Sequence, residues 1–310
     1  MSKINELNFI QRIELELLWA FSWCFSIMPY WFKFYLVAPL LSFVLCYLLR
    51  YRRGVIMENL ENSFPEKSQE ELETIAKKYY RNLAEVFVGT VNMAHMPLKK
   101  IRRYVHTPNF LEESQHFAGS DVVVAFAHYS LWELGAFWDH LRPEWVSIGV
   151  YKPLHSVVMD CYYERLRTTP YSYPVPKREI MRFYLRNREK GWEGRKLAIG
   201  LIADQNAHLR PDSHWYRFLN QDTLFYDGPE QLALRYHLPI AYVTIDRLKP
   251  GVYTILVDML YDGKSPAEKH ELTERYVRRV EQMIQARPEL WMWSHRRWKH
   301  KREEQEVREA

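Results

Sequence analysis

Five short runs of apolar and β-branched residues constrain the fold more than any other feature of the chain. They lie at residues 121–127 (DVVVAFA), 145–151, 197–203, 240–246 and 252–259. Each has the length of a strand, and none alternates strictly between polar and apolar residues. Strands that are apolar on both sides need cover on both faces, and the stretches between most of these runs carry helical spacing. The pattern therefore predicts an α/β fold: a mixed, mostly parallel sheet with helices on both faces, over residues 105–302. A late amphipathic helix is expected at 267–287, ahead of an aromatic and basic segment.

Upstream the pattern changes. Ser68-Gln69-Glu70-Glu71 has capping-box spacing and follows Pro65, which predicts a helix from Gln69 to Met93 with Leu72, Ile75, Ala76, Tyr79, Leu83 and Val86 on one face. Residues 17–49 contain one charged side chain, Lys33, and run into Arg50, Arg52 and Arg53. A bilayer core about 30 Å thick needs roughly 20 helical residues, so this stretch is long enough to anchor the chain. Pro29 and Pro39 predict a kinked or two-piece, interfacial or re-entrant element. Glu14 and Glu16 precede it and no small-residue cleavage site comes after it, which argues against a signal peptide. A buried hairpin in a soluble protein is the alternative reading. The arginine edge would place the chain downstream of it on the cytoplasmic side, or against anionic headgroups. The expected organisation is an anchor at 1–53, a helical connection at 54–104, the α/β domain at 105–302 and a charged tail at 303–310.

Mean hydropathy of −0.40 excludes a polytopic membrane protein, and the net charge is +5. Cys24, Cys46 and Cys161 are odd in number and widely spaced, which argues against a disulfide framework or a zinc site. No Gly-x-Ser-x-Gly elbow, phosphate-binding loop or dinucleotide fingerprint occurs, so neither a covalent serine intermediate nor a nucleotide cofactor is expected. No metal is expected either.

The densest chemical signal is His128-Tyr129-Ser130-Leu131-Trp132-Glu133, directly after the first apolar run. In an open α/β sheet the reactive crevice lies beyond the carboxyl ends of the strands. Ser130 could cap a following helix and bring Glu133 back to the imidazole, and a carboxylate on one ring nitrogen makes the other a better base for a hydroxyl. The competing reading is that Ser130-x-x-Glu133 is only a capping box. Two basic clusters, 177–196 and 295–302, are solvated faces or docking sites. No nucleic-acid motif accompanies them, and an anchor with basic patches suggests a phosphorylated lipid or an acidic carrier.

Taken in order, several blocks resemble the late lauroyl and myristoyl acyltransferases of lipid A biosynthesis, within the wider lysophospholipid acyltransferase group. These are the N-terminal anchor, Arg53…Asn59-Leu60…Phe64-Pro65-Glu66, His128-x-x-x-x-Glu133-Leu134-Gly135, Tyr151-Lys152-Pro153, Arg165-x-Arg167, Ala203-Asp204-Gln205, Gly228-Pro229, and Pro288-Glu289…Met292-Trp293-Ser294-His295-Arg296-Arg297-Trp298-Lys299. The resemblance implies transfer of a fatty acyl chain from acyl carrier protein to a hydroxyl of a lipid A precursor, at the cytoplasmic face of a bacterial inner membrane. His128 would be the base, Glu133 its partner and Arg165 an electrostatic stabiliser. Lys152, Arg167, Asp204, Gln205, Arg296 and Arg297 would shape the substrate site. Lys152 in place of the usual Arg, the missing Asn-Gly after His128 and the segment at 213–220 depart from the family pattern, and they bear on acceptor and chain length. The alternatives are acylation of a lysophospholipid or amino-acid lipid, or a non-catalytic membrane-anchored lipid-binding protein.

Overall fold

A computed structural model describes residues 3–135 and 143–302; the charged tail at 303–310 lies outside them. The chain begins with α1 (Phe9–Ile27), whose N-terminus carries a capping box between Asn8 and Gln11. After a break at Pro29 a second arm covers Phe32–Leu48, with α2 (Ala38–Phe43) between two π-helical stretches. Between the two arms the chain direction turns by 106°. Among the described residues no single helix is long and apolar enough to cross a membrane, although the bent pair taken together passes that test. The two-piece expectation agrees with this: proline at the break leaves no amide to continue the helix.

Next come α3 (Arg53–Ser63) and α4 (Gln69–Met93). The expected capping box is present, with Ser68 and Glu71 each accepting from the other's backbone N–H. Leu72, Ala76, Tyr79, Leu83 and Val86 are buried, and Ile75 is partly so. Beyond α4 lie α5 (Leu98–Tyr104), β1 (Val105–His106), α6 (Phe110–Gln115), β2 (Val122–Phe126), β3 (Trp145–Tyr151), α7 (Val157–Arg167), β4 (Ser172–Pro176), α8 (Ile180–Asn187) and β5 (Lys196–Ile202). A hairpin of β6 (Trp215–Phe218) and β7 (Gln221–Leu224) precedes α9 (Gly228–Tyr236), β8 (Ile240–Lys249), β9 (Val252–Tyr261) and α10 (Glu271–Ala286).

Among the described residues seven strands form one sheet in the order β1-β9-β8-β2-β5-β3-β4. β8, β2, β5, β3 and β4 run parallel; β9 is antiparallel to β8 and carries β1 parallel to itself. The mixed, mostly parallel sheet expected from the apolar runs is what forms. Val123 and Ala125 of β2 enter one core with α4, α9 and α10, while Val122 and Val124 enter the other with Phe110 and Phe117, so both faces are covered. The first of these cores also takes in Leu45 of the second arm and Ile56 and Leu60 of α3. Strands β1, β4, β6 and β7 have no counterpart among the five apolar runs. β4 reads SYPVP, a sequence tolerated because it sits at the sheet edge. The β6–β7 turn places Leu219 and Asn220 at φ +46° and +64°, the left-handed geometry of a two-residue hairpin.

Candidate active site

Strand register explains how the central pair arises. β2 and β5 are parallel neighbours with Phe126 opposite Ile202, so His128 and Asp204, each two residues further on, emerge side by side at the carboxyl edge. Asp204 is 1% exposed and accepts three hydrogen bonds. Oδ2 takes the His128 backbone N–H at 2.9 Å and the Trp291 indole N–H at 2.8 Å, and Oδ1 lies 2.7 Å from His128 Nδ1. Burial pushes the Asp204 carboxyl up, but the His128 imidazole and these hydrogen bonds outweigh it and hold the group below the usual carboxylate range. An ionised carboxylate only accepts, so Nδ1 carries the proton and Nε2 the lone pair. Gln205 Nε2 lies 3.1 Å from that Nε2 and therefore donates to it. The imidazole is 17% exposed, open enough for a substrate to reach.

Glu133 differs from expectation. The spacing predicts that it folds back onto His128, but its carboxylate makes a bidentate pair with Arg167, at 2.9 and 2.6 Å, and is itself buried. Asp204 occupies the place on the imidazole expected of Glu133. Ser130 does not cap through its side chain: it is buried at φ +53°, its Oγ has no hydrogen-bond partner among the described residues, and its N–H donates to the Leu290 carbonyl. Residues 132–135 form a 3-10 turn, and the helix expected beyond them runs into 136–142, outside the described residues.

Arg165 is also placed differently. Residues two apart on a helix point about 200° from one another, so Arg165 and Arg167 cannot serve one site. Arg167 faces Glu133 and lies over the Tyr163 ring, whereas Arg165 faces α1, pairing with Glu16 at 2.8 Å and stacking on Trp19. Lys152 is exposed just beyond β3, on the same edge of the sheet as His128. Arg296 lines a groove of about 720 Å³ with Arg52, Gly54, Val55 and Glu58. Arg297 is 3% exposed, donates to the Leu224 carbonyl and stacks on Phe225. Burial lowers its pKa to about 10 against the attraction of Asp204. It supports the site from within, where a head group could not touch it.

The last aromatic block is part of the site. Tyr129 pairs with Trp291 in an antiparallel bridge, and the block is held from the other side by Asn59, which donates to the Trp293 and His295 carbonyls, by Arg52 to the Ser294 carbonyl, and by the Tyr79 hydroxyl to Ser294 Oγ. Neither Trp291 nor Tyr79 stands out in the sequence as a site residue. Their roles depend on contacts between segments more than 75 positions apart, and nothing local in the sequence signals them. Among the described residues no group of three or more His, Cys, Asp or Glu side chains is placed to hold a metal ion.

Fold and site together define an α/β protein with an oriented imidazole of the kind that removes a proton from a hydroxyl. The chain belongs to the bacterial lipid A biosynthesis acyltransferase family, whose family model matches residues 5–300. Comparison with curated proteins finds no match.

Proposed function

We propose that this chain transfers a fatty acyl group from the thioester of acyl carrier protein to a hydroxyl of a lipid A precursor, at the cytoplasmic face of a bacterial inner membrane. The observation that carries the reading is the His128–Asp204 pair: a fixed tautomer, with the Nε2 lone pair away from the carboxylate on a partly exposed imidazole at the carboxyl edge of the sheet. The acceptor hydroxyl takes the place of the Gln205 amide at Nε2. As its oxygen attacks the thioester carbonyl, its proton passes to Nε2 and the carbonyl becomes a tetrahedral oxyanion. The C–S bond then breaks, and the departing sulfur recovers the proton from His128. Asp204 stabilises the imidazolium formed in between. The Glu133–Arg167 pair holds the turn after His128 against α7 and sets its shape. Lys152 and Arg296 are exposed and would meet a phosphorylated head group or an acidic carrier.

The test is mass spectrometry of lipids from cells with and without the protein. The expected result is a gain of one acyl group on lipid A. Unchanged lipid A with altered phospholipid would replace this acceptor with the alternative one. Purified protein offered acyl carrier protein and coenzyme A thioesters decides the donor.

A further inference from the structure

The two N-terminal arms carry apolar side chains that the α/β body leaves uncovered. Ile10, Leu17 and Phe21 on α1, and Leu36, Leu40 and Phe43 on the second arm, are each half exposed or more. Their inner sides are fastened down. Ser22 of α1 shares a 2.7 Å hydrogen bond with the Tyr162 hydroxyl of α7. At the bend, Tyr30 stacks on Tyr104 with ring planes 3° apart and donates to the Pro250 carbonyl in the β8–β9 turn. Phe34 fills the space beside Gly251, where a Cβ would lie 2.6 Å from its ring. Lys33 points inward and donates to the Asn92 side chain. Neither arm can swing out along a membrane normal without breaking these contacts, and with a 106° turn no single normal runs along both arms.

Charge marks all three corners of the bent pair. Glu14 and Glu16 lie near its start, Arg102 and Arg103 adjoin Tyr104 at the bend, and Arg50 and Arg52 close its far end. Glu14 and Glu16 lie within α1, and the second arm spans only about 25 Å against a hydrocarbon core of about 30 Å, so a crossing arm would hold charged side chains inside hydrocarbon at a heavy desolvation cost. The basic corners instead suit anionic headgroups, and exposed Trp23, Trp31 and Tyr47 suit the interface itself. We propose that both arms lie in the plane of one leaflet's interface, half immersed against an anionic lipid surface, and that no part of residues 9–49 crosses the bilayer. This rests on the membrane reading in the proposed function.

The experiment uses the full chain and vesicles of phosphatidylethanolamine and phosphatidylglycerol. Cys24 is the exposed cysteine, and Cys46 and Cys161 are buried, so a thiol-reactive fluorophore reports on α1. Nitroxides near the headgroup end of the lipid chains should quench it more than nitroxides near the methyl end. A short split-fluorescent-protein tag before α1 should complement its partner on the same side of the membrane as the α/β domain. Leu17→Glu and Leu40→Glu, both on exposed positions, should each weaken flotation with the vesicles by about tenfold or more. A bound protein with its tag on the opposite side, or with deeper quenching at Cys24, overturns the in-plane arrangement alone. A protein that does not float, whether single or paired through this face with a second copy, overturns the membrane reading and this inference with it.

Discussion

Replacing Asp204 with Asn tests the site most directly, because the surroundings dictate how the amide must sit. Oδ2 faces two donors, the His128 backbone N–H and the Trp291 indole N–H, so the Asn oxygen has to take that side. The NH₂ group then faces His128 Nδ1, which must accept, and the proton moves to Nε2, where the base lone pair is needed. The variant also loses the negative charge that stabilises the imidazolium. Two unit charges about 4 Å apart at an effective dielectric of about 20 interact by about 4 kcal/mol, or close to a thousandfold in rate. Single-turnover acyl transfer with purified Asp204→Asn should therefore fall by about 10³-fold while thermal unfolding shows the protein folded. Nitrogen NMR of the His128 ring should show the proton moved from Nδ1 to Nε2. A folded variant that keeps more than about a tenth of the parent rate would refute the assignment of Asp204, since loss of an oriented base costs at least 10²-fold.

Other variants separate neighbours that a sequence alone treats alike. Arg167→Ala leaves the buried Glu133 carboxylate without its bidentate partner and should destabilise the protein by about 3 kcal/mol, seen in chemical denaturation, with activity lost as the turn after His128 shifts. Arg165→Ala removes the pair with an exposed Glu16 and the stacking on Trp19 and should change stability by under about 2 kcal/mol, with kcat unchanged. Burial, with the nearby Arg297 charge, holds His295 down at a pKa of about 4, below its ordinary value of 6.5. The unfolded chain therefore binds the extra proton first: stability is full above pH 6.5 and falls as pH drops toward 4, and His295→Asn should flatten that part of a Tm-against-pH curve. Charge reversal at exposed Arg182 and Arg186 of α8 should raise KM for the acidic carrier more than it lowers kcat, with the effect shrinking as salt is added.

The sequence carries local information well and neighbour order poorly. The helix at Gln69–Met93 is readable to the residue, because a capping box and a 3.6-residue period coincide there. The five apolar runs become β2, β3, β5, β8 and β9, because burial on both faces writes itself into composition. His128 at a strand end is readable for the same reason. Its partner is not: Glu133 is five residues away and suggests itself, while Asp204 is 76 away and becomes a neighbour only because β5 inserts beside β2. The choice between Arg165 and Arg167 likewise needs the phase of α7 against α1 and the sheet, which spacing alone does not set.

The bridge between Tyr129 and Trp291 also fixes the order in which the protein comes into being. The bent N-terminal pair leaves the ribosome before the sheet, and β2 with its histidine emerges well before the aromatic block at 288–298 is made. Until that block docks, Ser130 lacks the Leu290 carbonyl and Asp204 lacks the Trp291 indole, so the loop bearing the base is held by Asp204 and its left-handed turn is unsupported at Ser130. A chain still being synthesised thus carries its histidine before it has a working base. On the proposed mechanism, activity requires that the aromatic block, made after the sheet, close over the loop made near the middle.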